Sequence, residues 1–493
     1  MLRQQRLRQS AVSLCRRPLS EHVILYQKAT PYRLFHETTR CRDTIGIKAN
    51  IVRRPGPEAQ QNTVASSKML QDYNSPFDAT VVELLKAAGP FDHDVDIQGS
   101  MDEFGMGSHS QYAHEGPVKS LYSRGGVSLS PGGSSGGSAV AVAKGACEVA
   151  LGTDTGGSVR LPAAYTGVLG FKPSYGRISR WGVIQYANSL DTVGILGRRV
   201  EKLEETFALL DKYDARDQTS LSKSLRERIR SQSSRNTERL RIGIPIEYNI
   251  KELSPIVKRT YLDTLRSLRN AGHSLHAVSL PSTQSALSAY YVLAPAEASS
   301  NLAKYDGIRY GHRTSTTDAS PHNDPPLPLY TKTRGEGFGD EVKRRILLGA
   351  YTLSSEAMDN YFIQAQRVRR LVQQDFDRVF AQQNPLLDPT SESLSEEEDK
   401  VDLLLTPTAP TLPPTIEELA KQSPLESYMN DVFTVPASLA GLPAISVPVP
   451  VPEAERAKLE DTDIKTAGMQ LIGQFGDDEL VLRAAKQLYH ELL

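Results

Sequence analysis

The chain has 493 residues, a length that fits about three domains of ~150 residues or one large α/β enzyme. Hydrophobic residues make up 39% and charged residues 23%, a globular balance that excludes a wholly disordered chain. Three cysteines without CxxC spacing exclude a disulfide framework and a structural zinc site, and they favour a reducing compartment. The most apolar segment, 138–151, contains Lys144 and Glu148, which excludes a membrane span there.

The net charge of −1 conceals an asymmetry between the N-terminal segment and the rest of the chain. Residues 1–42 carry nine lysines and arginines but two acidic residues, so their net charge is +7 and that of the remainder is −8. A basic, acid-poor start with Ser10 and Ser13 among apolar residues is typical of a mitochondrial transit peptide. We therefore predict a leader over 1–42 and a location in the mitochondrial matrix; a basic arm that binds nucleic acid is the alternative.

After the leader, hydrophobic periodicity predicts strands that alternate with helices. The predicted strands are 44–52 and 241–244, and the Pro-punctuated apolar runs 403–414 and 436–452 predict strands that end in loops. The predicted helices are 79–88, 201–210, 255–271 and 341–370. Residues 213–236 are polar and predict a surface excursion, and residues 388–402 predict an exposed acidic loop. The alternation predicts an α/β fold with one large domain over 43–493.

Residues 105–197 are rich in glycine and serine, and two loops stand out within them. PGGSSGGS occupies 131–138 and GTDTGGSVRLP occupies 152–162. This much glycine predicts a backbone that approaches a site closely. Phosphate binding is disfavoured, because neither glycine pair is followed by the lysine of a P-loop. The structural alternative is that Ser134, Ser135 and Ser158 merely cap helices.

Ser158 follows two glycines whose backbone N–H groups can turn towards one point and bind a negative oxygen. This order suits a serine nucleophile that attacks a carbonyl group. Neither loop contains a histidine that could serve as the base. A buried lysine remains as the candidate base, since burial can lower its pKa until the amine is neutral.

The segment 102–173, which contains both loops, resembles the amidase signature family. The likeness continues into the C-terminal half, at 299–311, 337–349, 403–411 and 431–448, where the chain is similar to the glutamine-dependent amidotransferase members of that family. The resemblance implies a central mixed β-sheet flanked by helices. It also implies an enzyme that hydrolyses an amide without a metal ion.

The family has a Ser–cis-Ser–Lys triad, and three positions of this chain match it. The resemblance makes Ser158 the nucleophile, Ser134 the bridging serine that passes the proton on, and Lys48 in GIKANI the base. It assigns the oxyanion hole to four consecutive backbone N–H groups, those of Thr155, Gly156, Gly157 and Ser158.

For substrate recognition, the resemblance points to Tyr290, Arg345 and Asp431. Their chemistry suits glutamine, whose α-carboxylate needs a fork of donors and whose α-ammonium needs a carboxylate. Without the resemblance, Arg345 reads as a solvated helix charge and Asp431 as a helix N-cap.

The resemblance implies a glutaminase subunit in a heterotrimer that also contains the B subunit of the amidotransferase, together with a small third subunit. This chain would supply ammonia from glutamine, and the partner would use ATP and Mg²⁺ to amidate Glu-tRNA(Gln). Two alternatives remain open: a free-standing amidase that acts on small acyl amides, and a catalytically impaired scaffold subunit. The second rests on departures from the family pattern at Ala49-Asn50 and at Gln98-Gly99-Ser100.

Overall fold

The structure is a computed structural model that describes residues 45–55, 64–88, 96–97, 101–232, 238–316, 318, 328–387, 400–457, 459 and 461–492. The predicted leader and residues 388–399 of the predicted acidic loop lie outside these residues. Lys400, Val401 and Asp402 are buried, and Val401 forms a β-bridge with Phe380. For these three residues the exposed-loop prediction does not hold, because they lead into a buried strand.

Strands form the centre of the fold. They are β1 Ile45–Lys48, β2 Asp96–Ile97, β3 Ser123–Arg124, β4 Val127–Ser128, β5 Val149–Asp154, β6 Leu169–Lys172, β7 Thr192–Gly197, β8 Arg241–Pro245, β9 Ser274–Val278, β10 Leu403–Pro407, β11 Ala444–Pro450 and β12 Thr466–Ile472. Ten of them form one sheet in the order β2-β1-β5-β7-β6-β11-β12-β10-β8-β9, and β3 pairs with β4 in a small hairpin.

The main sheet is mixed, as the resemblance implies. β1 pairs in parallel with β2 and β5, and β8 pairs in parallel with β9 and β10. The central neighbours β5–β7, β7–β6, β6–β11, β11–β12 and β12–β10 are antiparallel. The prediction of an α/β domain with a central mixed sheet is confirmed.

Helices lie around the sheet. They are α1 Thr80–Ala87, α2 Gly136–Ala143, α3 Arg160–Thr166, α4 Val200–Leu210, α5 Lys223–Gln232, α6 Pro255–Asn270, α7 Ala286–Asn301, α8 Thr331–Gly337, α9 Asp340–Thr352, α10 Phe362–Val379, α11 Ile416–Leu419, α12 Pro424–Tyr428, α13 Val435–Ala440, α14 Glu453–Arg456 and α15 Asp478–Leu492. None of the helices in the described ranges combines the length and the apolar character that crossing a membrane requires.

Three sequence predictions of secondary structure need correction. The helix predicted over 341–370 is two helices, α9 and α10, because both pack against the 16-residue α7 and one straight helix could not. The polar excursion 213–236 contains α5, whose Arg226 and Ile229 are buried. The strand predicted over 436–452 begins only at Ala444, since α13 and Gly441 in the left-handed conformation precede it.

Three glycines of the central strands determine where the second glycine-rich loop lies. A Cβ on Gly152 of β5 or on Gly194 of β7 would lie 2.9 or 3.0 Å from Val159 Cγ2. A Cβ on Gly170 of β6 would lie 2.8 Å from the Val159 carbonyl oxygen. Because these glycines have no side chain, Val159 can pack directly on the sheet. This packing places Ser158 at the C-terminal end of β5.

Candidate active site

Lys48 is the last residue of β1, and its side chain is completely buried. Its Nζ donates to Ser134 Oγ and Ser135 Oγ, both at 2.8 Å, and to Thr153 Oγ1 at 2.9 Å. The Thr153 carbonyl oxygen is a longer acceptor at 3.4 Å. The lysine therefore reaches the PGGSSGGS loop from the strand next to β5.

Burial lowers the pKa of Lys48 to about 7, against the opposing field of Asp102, Asp154 and Asp191. Within the described part of the chain, no carboxylate lies within ion-pair distance of Nζ. An amine in this position is neutral in a large fraction of molecules near neutral pH, so it can accept a proton.

The loop 155–158 connects β5 to α3 and presents unpaired backbone donors. Gly156 and Gly157 are buried, and their N–H groups and that of Ser158 donate to no group among the described residues. Buried backbone donors are nearly always paired, so a run of unpaired ones indicates a place for an acceptor that comes from outside the chain. Such donors can stabilise a negative oxygen next to Ser158.

The two glycine-rich loops are held together directly. The Ser135 backbone N–H donates to the Ser158 carbonyl oxygen at 3.1 Å, and the peptide bond between Gly133 and Ser134 is cis. Ser135 precedes α2, but its side chain makes no cap hydrogen bond, and Val159 rather than Ser158 precedes α3. The alternative that these serines merely cap helices therefore finds no support in the geometry.

Asp102 fixes the other side of the first loop. Its buried carboxylate accepts from the backbone N–H groups of Ser110, Gln111 and Tyr112 at 2.8–3.1 Å. A Cβ on Gly133 would overlap this carboxylate. Only glycine therefore allows the loop to approach Asp102 this closely.

Arg345 on α9 is buried, contrary to its reading as a solvated helix charge. Its Nε donates to Glu341 at 2.7 Å and its Nη1 donates to the Tyr186 hydroxyl at 2.6 Å. The rings of Tyr186, Tyr291 and Tyr428 lie 5.6–5.7 Å from its Cζ. Its Nη2 donates to no described residue, so the guanidinium can still bind an anion.

Asp431 is also buried, and it does not act as a helix N-cap. Its Oδ2 accepts from Ser108 Oγ at 2.8 Å and from the Tyr291 hydroxyl at 3.0 Å. Burial raises the pKa of Asp431 to about 6, despite these donors and the Arg345 charge. Its Oδ1 accepts from no group in the described ranges and can receive a cationic donor.

Tyr290 links this charged pair to the loop of Ser158. Its ring lies against Gly156, where an added Cβ would be 2.6 Å from Tyr290 Cζ. The neighbouring Tyr291 packs edge-on against Tyr290 and bonds to Asp431. All the residues that the resemblance assigned to catalysis and substrate recognition therefore lie in one region of the molecule.

Several residues of this region were missed by the sequence analysis. Ser135 and Thr153 share Lys48 with Ser134, and both stand inside the two motifs, so the motifs themselves could have indicated them. Asp191 accepts from Thr155 Oγ1 at 2.7 Å and from the Tyr186 N–H at 2.8 Å. It joins the loop of Ser158 to the tyrosine that holds Arg345, and no local sequence signal indicates that contact.

A buried ion pair supports the same loop from below. Arg160 Nη2 lies 2.8 Å from Asp154 Oδ1, and both side chains are fully buried. Arg160 Nη1 also donates to the Thr434 carbonyl at 2.8 Å, and Thr434 Oγ1 donates to the Gly156 carbonyl at 2.6 Å. The two ends of the loop are thereby fixed to β5 and to the start of α13.

Among the described residues, no group of three or more His, Cys, Asp or Glu side chains could hold a metal ion.

Comparisons with known proteins identify the family to which the chain belongs. Residues 45–482 match the family model described as Amidase. The chain is 56% identical over 455 residues to the A subunit of the mitochondrial glutamyl-tRNA(Gln) amidotransferase of Coccidioides posadasii, covering 90% of this chain and 87% of that protein. The protein of the same name from Emericella nidulans is 56% identical over 460 residues, covering 90% and 88%.

A solved structure supports the same relationship. The A subunit of the glutamyl-tRNA(Gln) amidotransferase of Thermotoga maritima superimposes with a TM-score of 0.65 at 32% identity, covering 89% of this chain and 81% of that one. The family model spans most of the chain, and the resemblance read from the two glycine-rich loops is confirmed. The chain belongs to the amidase family.

Proposed function

We propose that the chain is the glutaminase subunit of a mitochondrial Glu-tRNA(Gln) amidotransferase. It would hydrolyse glutamine and supply ammonia for the conversion of Glu-tRNA(Gln) to Gln-tRNA(Gln) in organellar translation. The observation that carries the proposal is a buried guanidinium and a buried carboxylate, Arg345 and Asp431, beside the loop of Ser158. A free α-amino acid carries both complementary charges, whereas a simple acyl amide carries neither.

In this mechanism Ser158 Oγ attacks the side-chain amide carbon of glutamine. Its proton passes through the Ser134 hydroxyl to neutral Lys48, and the negative oxygen accepts hydrogen bonds from backbone N–H groups of the loop 155–158. Collapse of the tetrahedral intermediate breaks the C–N bond, and the leaving nitrogen takes the proton from Lys48 and departs as ammonia. Water then hydrolyses the γ-glutamyl ester and restores Ser158.

The ammonia acceptor belongs to other subunits in this proposal. The B subunit would hold ATP, Mg²⁺ and Glu-tRNA(Gln), and a small third subunit would complete a heterotrimer. The support is the family relationship, since the two fungal relatives and the bacterial structure are all named as one subunit of such an amidotransferase. The residues around Ser158 and Lys48 serve amide hydrolysis, and the proposal assigns neither ATP nor tRNA to them.

Ammonia release from glutamine distinguishes the proposal from its two alternatives. The full chain, alone and with its partner subunits, is expected to release ammonia from glutamine and not from propionamide or benzamide. Hydrolysis of the simple amides with no glutaminase activity would favour a free-standing amidase. Inactivity on both substrate classes in the assembled complex would favour a scaffold, a role that the contact of Lys48 with Ser134 argues against.

Removal of either charge in the substrate pocket is expected to weaken the use of glutamine. Arg345→Ala and Asp431→Ala each lose a charge-assisted hydrogen bond, so kcat/KM should fall about tenfold to a hundredfold. Arg367→Ala and Asp359→Ala, at exposed positions, are the matched controls and should behave as the parent. Normal glutamine hydrolysis by both pocket variants would show that the pocket lies elsewhere.

The rate is expected to depend on pH through Lys48. Its pKa of about 7 means that protonation below neutrality removes the base, so kcat/KM should rise from pH 6 to a plateau above pH 8. Asp431 has a pKa of about 6 and must be ionised to bind the α-ammonium. Its protonation should therefore make kcat/KM fall more steeply below pH 6. A profile that is flat between pH 6 and pH 8 would contradict the role of Lys48.

The basic N-terminal segment is the basis for the proposed mitochondrial location. Residues 1–42, with a net charge of +7, are expected to direct a fused fluorescent reporter into the mitochondrial matrix. The control is the same fusion with its arginines replaced by glutamine, which should stay in the cytosol. A cytosolic or nuclear signal from the unaltered fusion would contradict the mitochondrial assignment.

A further inference from the structure

His109 is a buried histidine that the proposed mechanism does not use. Its Nδ1 lies 2.9 Å from Ser130 Oγ and its Nε2 lies 3.1 Å from Asn430 Nδ2. The ring also stacks on Tyr165, with the two ring planes 19° apart. Both nitrogens therefore have partners, one in each of two segments that are about 300 residues apart in the sequence.

The proton positions of this network follow from Asn430. Its Oδ1 accepts from the Tyr165 hydroxyl at 3.1 Å, so its Nδ2 is a donor, and it donates to the Ser427 carbonyl at 2.9 Å and to His109 Nε2. Burial lowers the pKa of His109 to about 3, so the ring is neutral. Nε2 then accepts, and Nδ1 carries the hydrogen that it donates to Ser130 Oγ.

The Ser130 partner leads to the bridging serine. Ser130 Oγ also accepts from the Gly132 N–H at 3.1 Å, two residues before Ser134. Ser110, next to His109, donates to the Gly132 carbonyl at 2.8 Å and accepts from the Gly136 N–H at 3.1 Å. The segment 108–110 therefore holds the loop of Ser134 on both sides of the cis peptide bond.

The Asn430 partner leads to the substrate pocket. Asn430 is adjacent to Asp431, whose Oδ2 accepts from Ser108 Oγ, on the other side of His109 in the sequence. The ring and its two neighbours thus contact the proton-relay loop in one direction and the amine-binding carboxylate in the other.

We propose that His109 is a positioning residue that aligns the bridging serine with the carboxylate that binds the substrate amine. The Nδ1–H···Ser130 bond holds the loop of Ser134, and the Nε2···Asn430 bond holds Asp431. The inference rests on the proposed glutaminase function, since it assigns the two ends of the network to proton transfer and to glutamine binding.

Two substitutions separate the two bonds. In His109→Asn the amide nitrogen takes the place of Nδ1 and keeps the hydrogen bond to Ser130, but the hydrogen bond from Asn430 is lost. In His109→Gln the amide oxygen takes the place of Nε2 and keeps the Asn430 bond, but the Ser130 bond is lost. We expect His109→Asn to raise KM for glutamine roughly fivefold to tenfold with kcat nearly unchanged, and His109→Gln to lower kcat by a similar factor with KM nearly unchanged.

The measurement is steady-state ammonia release by the assembled enzyme, with His114→Gln at an exposed position as the control. Equal effects of both variants on kcat and KM, or no effect of either, would overturn the role of His109 while the parent remains a glutaminase. A parent without glutaminase activity would overturn the proposed function as well. As a measurement that needs no variant, ¹⁵N spectra of the His109 ring should show hydrogen on Nδ1 and an unprotonated Nε2 from pH 5 to pH 8; hydrogen on Nε2 would overturn the inference.

Discussion

Alanine at Ser158, Ser134 or Lys48 is expected to remove nearly all glutamine hydrolysis, and a second substitution is expected to add little. Ser158 cannot attack while it holds its proton, and Ser134 contributes only if that proton reaches Lys48. Loss of acid–base assistance costs about 10²- to 10⁴-fold in rate, and residues that act as a unit are strongly non-additive. The double variant Lys48→Ala with Ser158→Ala should therefore match Ser158→Ala alone.

Two further variants make this result specific to the proton route. Ser135 lies as close to Lys48 as Ser134 does, at 2.8 Å, so Ser135→Ala is a matched control that should cost much less than Ser134→Ala. Lys48→Arg should be inactive, because a guanidinium stays protonated and cannot accept the proton. Near-parent activity of Lys48→Ala would show that another group is the base.

Gly157→Ala is expected to lower kcat by about 10²- to 10³-fold, the cost of losing one oxyanion donor. Gly157 has a φ of +149°, which L-residues with a side chain rarely adopt. A Cβ there would overlap Thr434 Oγ1 and lie 2.8 Å from Thr434 Cβ. Thr434 cannot easily move, because it bonds the Gly156 carbonyl, so the loop must shift and its N–H groups turn away.

Gly335→Ala is the control for this prediction. Nothing lies within 4 Å of a Cβ at Gly335, which is inside α8 and far from any strained conformation, so activity should be unchanged. Because the loss comes from transition-state binding, KM of Gly157→Ala should change much less than kcat. A Gly157→Ala enzyme with parent kcat would show that this loop does not form the oxyanion hole.

The sequence was most informative where a short motif carries its own chemistry. Ser134 and Ser158 stand in glycine-rich loops whose composition predicts close backbone approach. Hydrophobic periodicity predicts strands and helices elsewhere in the chain, but not β5, α2 or α3, which flank these loops. The resemblance then assigned Lys48, 86 residues from Ser134, and the structure places its Nζ 2.8 Å from that serine's Oγ. Periodicity alone could not have paired them, since β1 and β5 become neighbours only in the folded sheet.

Contacts over long sequence distances explain what the sequence could not show. Arg345 sits on a helix face that reads as charged and solvated, yet three tyrosines from different segments surround it. Asp191 and His109 each connect distant segments through side-chain hydrogen bonds. Such bonds produce no hydrophobic periodicity in the sequence. The division of the predicted helix 341–370 into α9 and α10 likewise depends on a contact that is distant in sequence, since both helices pack on α7.

Acylation of Ser158 by glutamine is the step on which the proposed mechanism depends. The full chain, alone and in its amidotransferase complex, would be mixed with glutamine, quenched in acid and digested with trypsin. Cleavage after Arg124, Lys144 and Arg160 places Ser134 and Ser158 on separate peptides, 125–144 and 145–160. We predict a γ-glutamyl adduct on peptide 145–160, absent from Ser158→Ala. An adduct on peptide 125–144, or ammonia release by Ser158→Ala at the parent rate, would contradict the account.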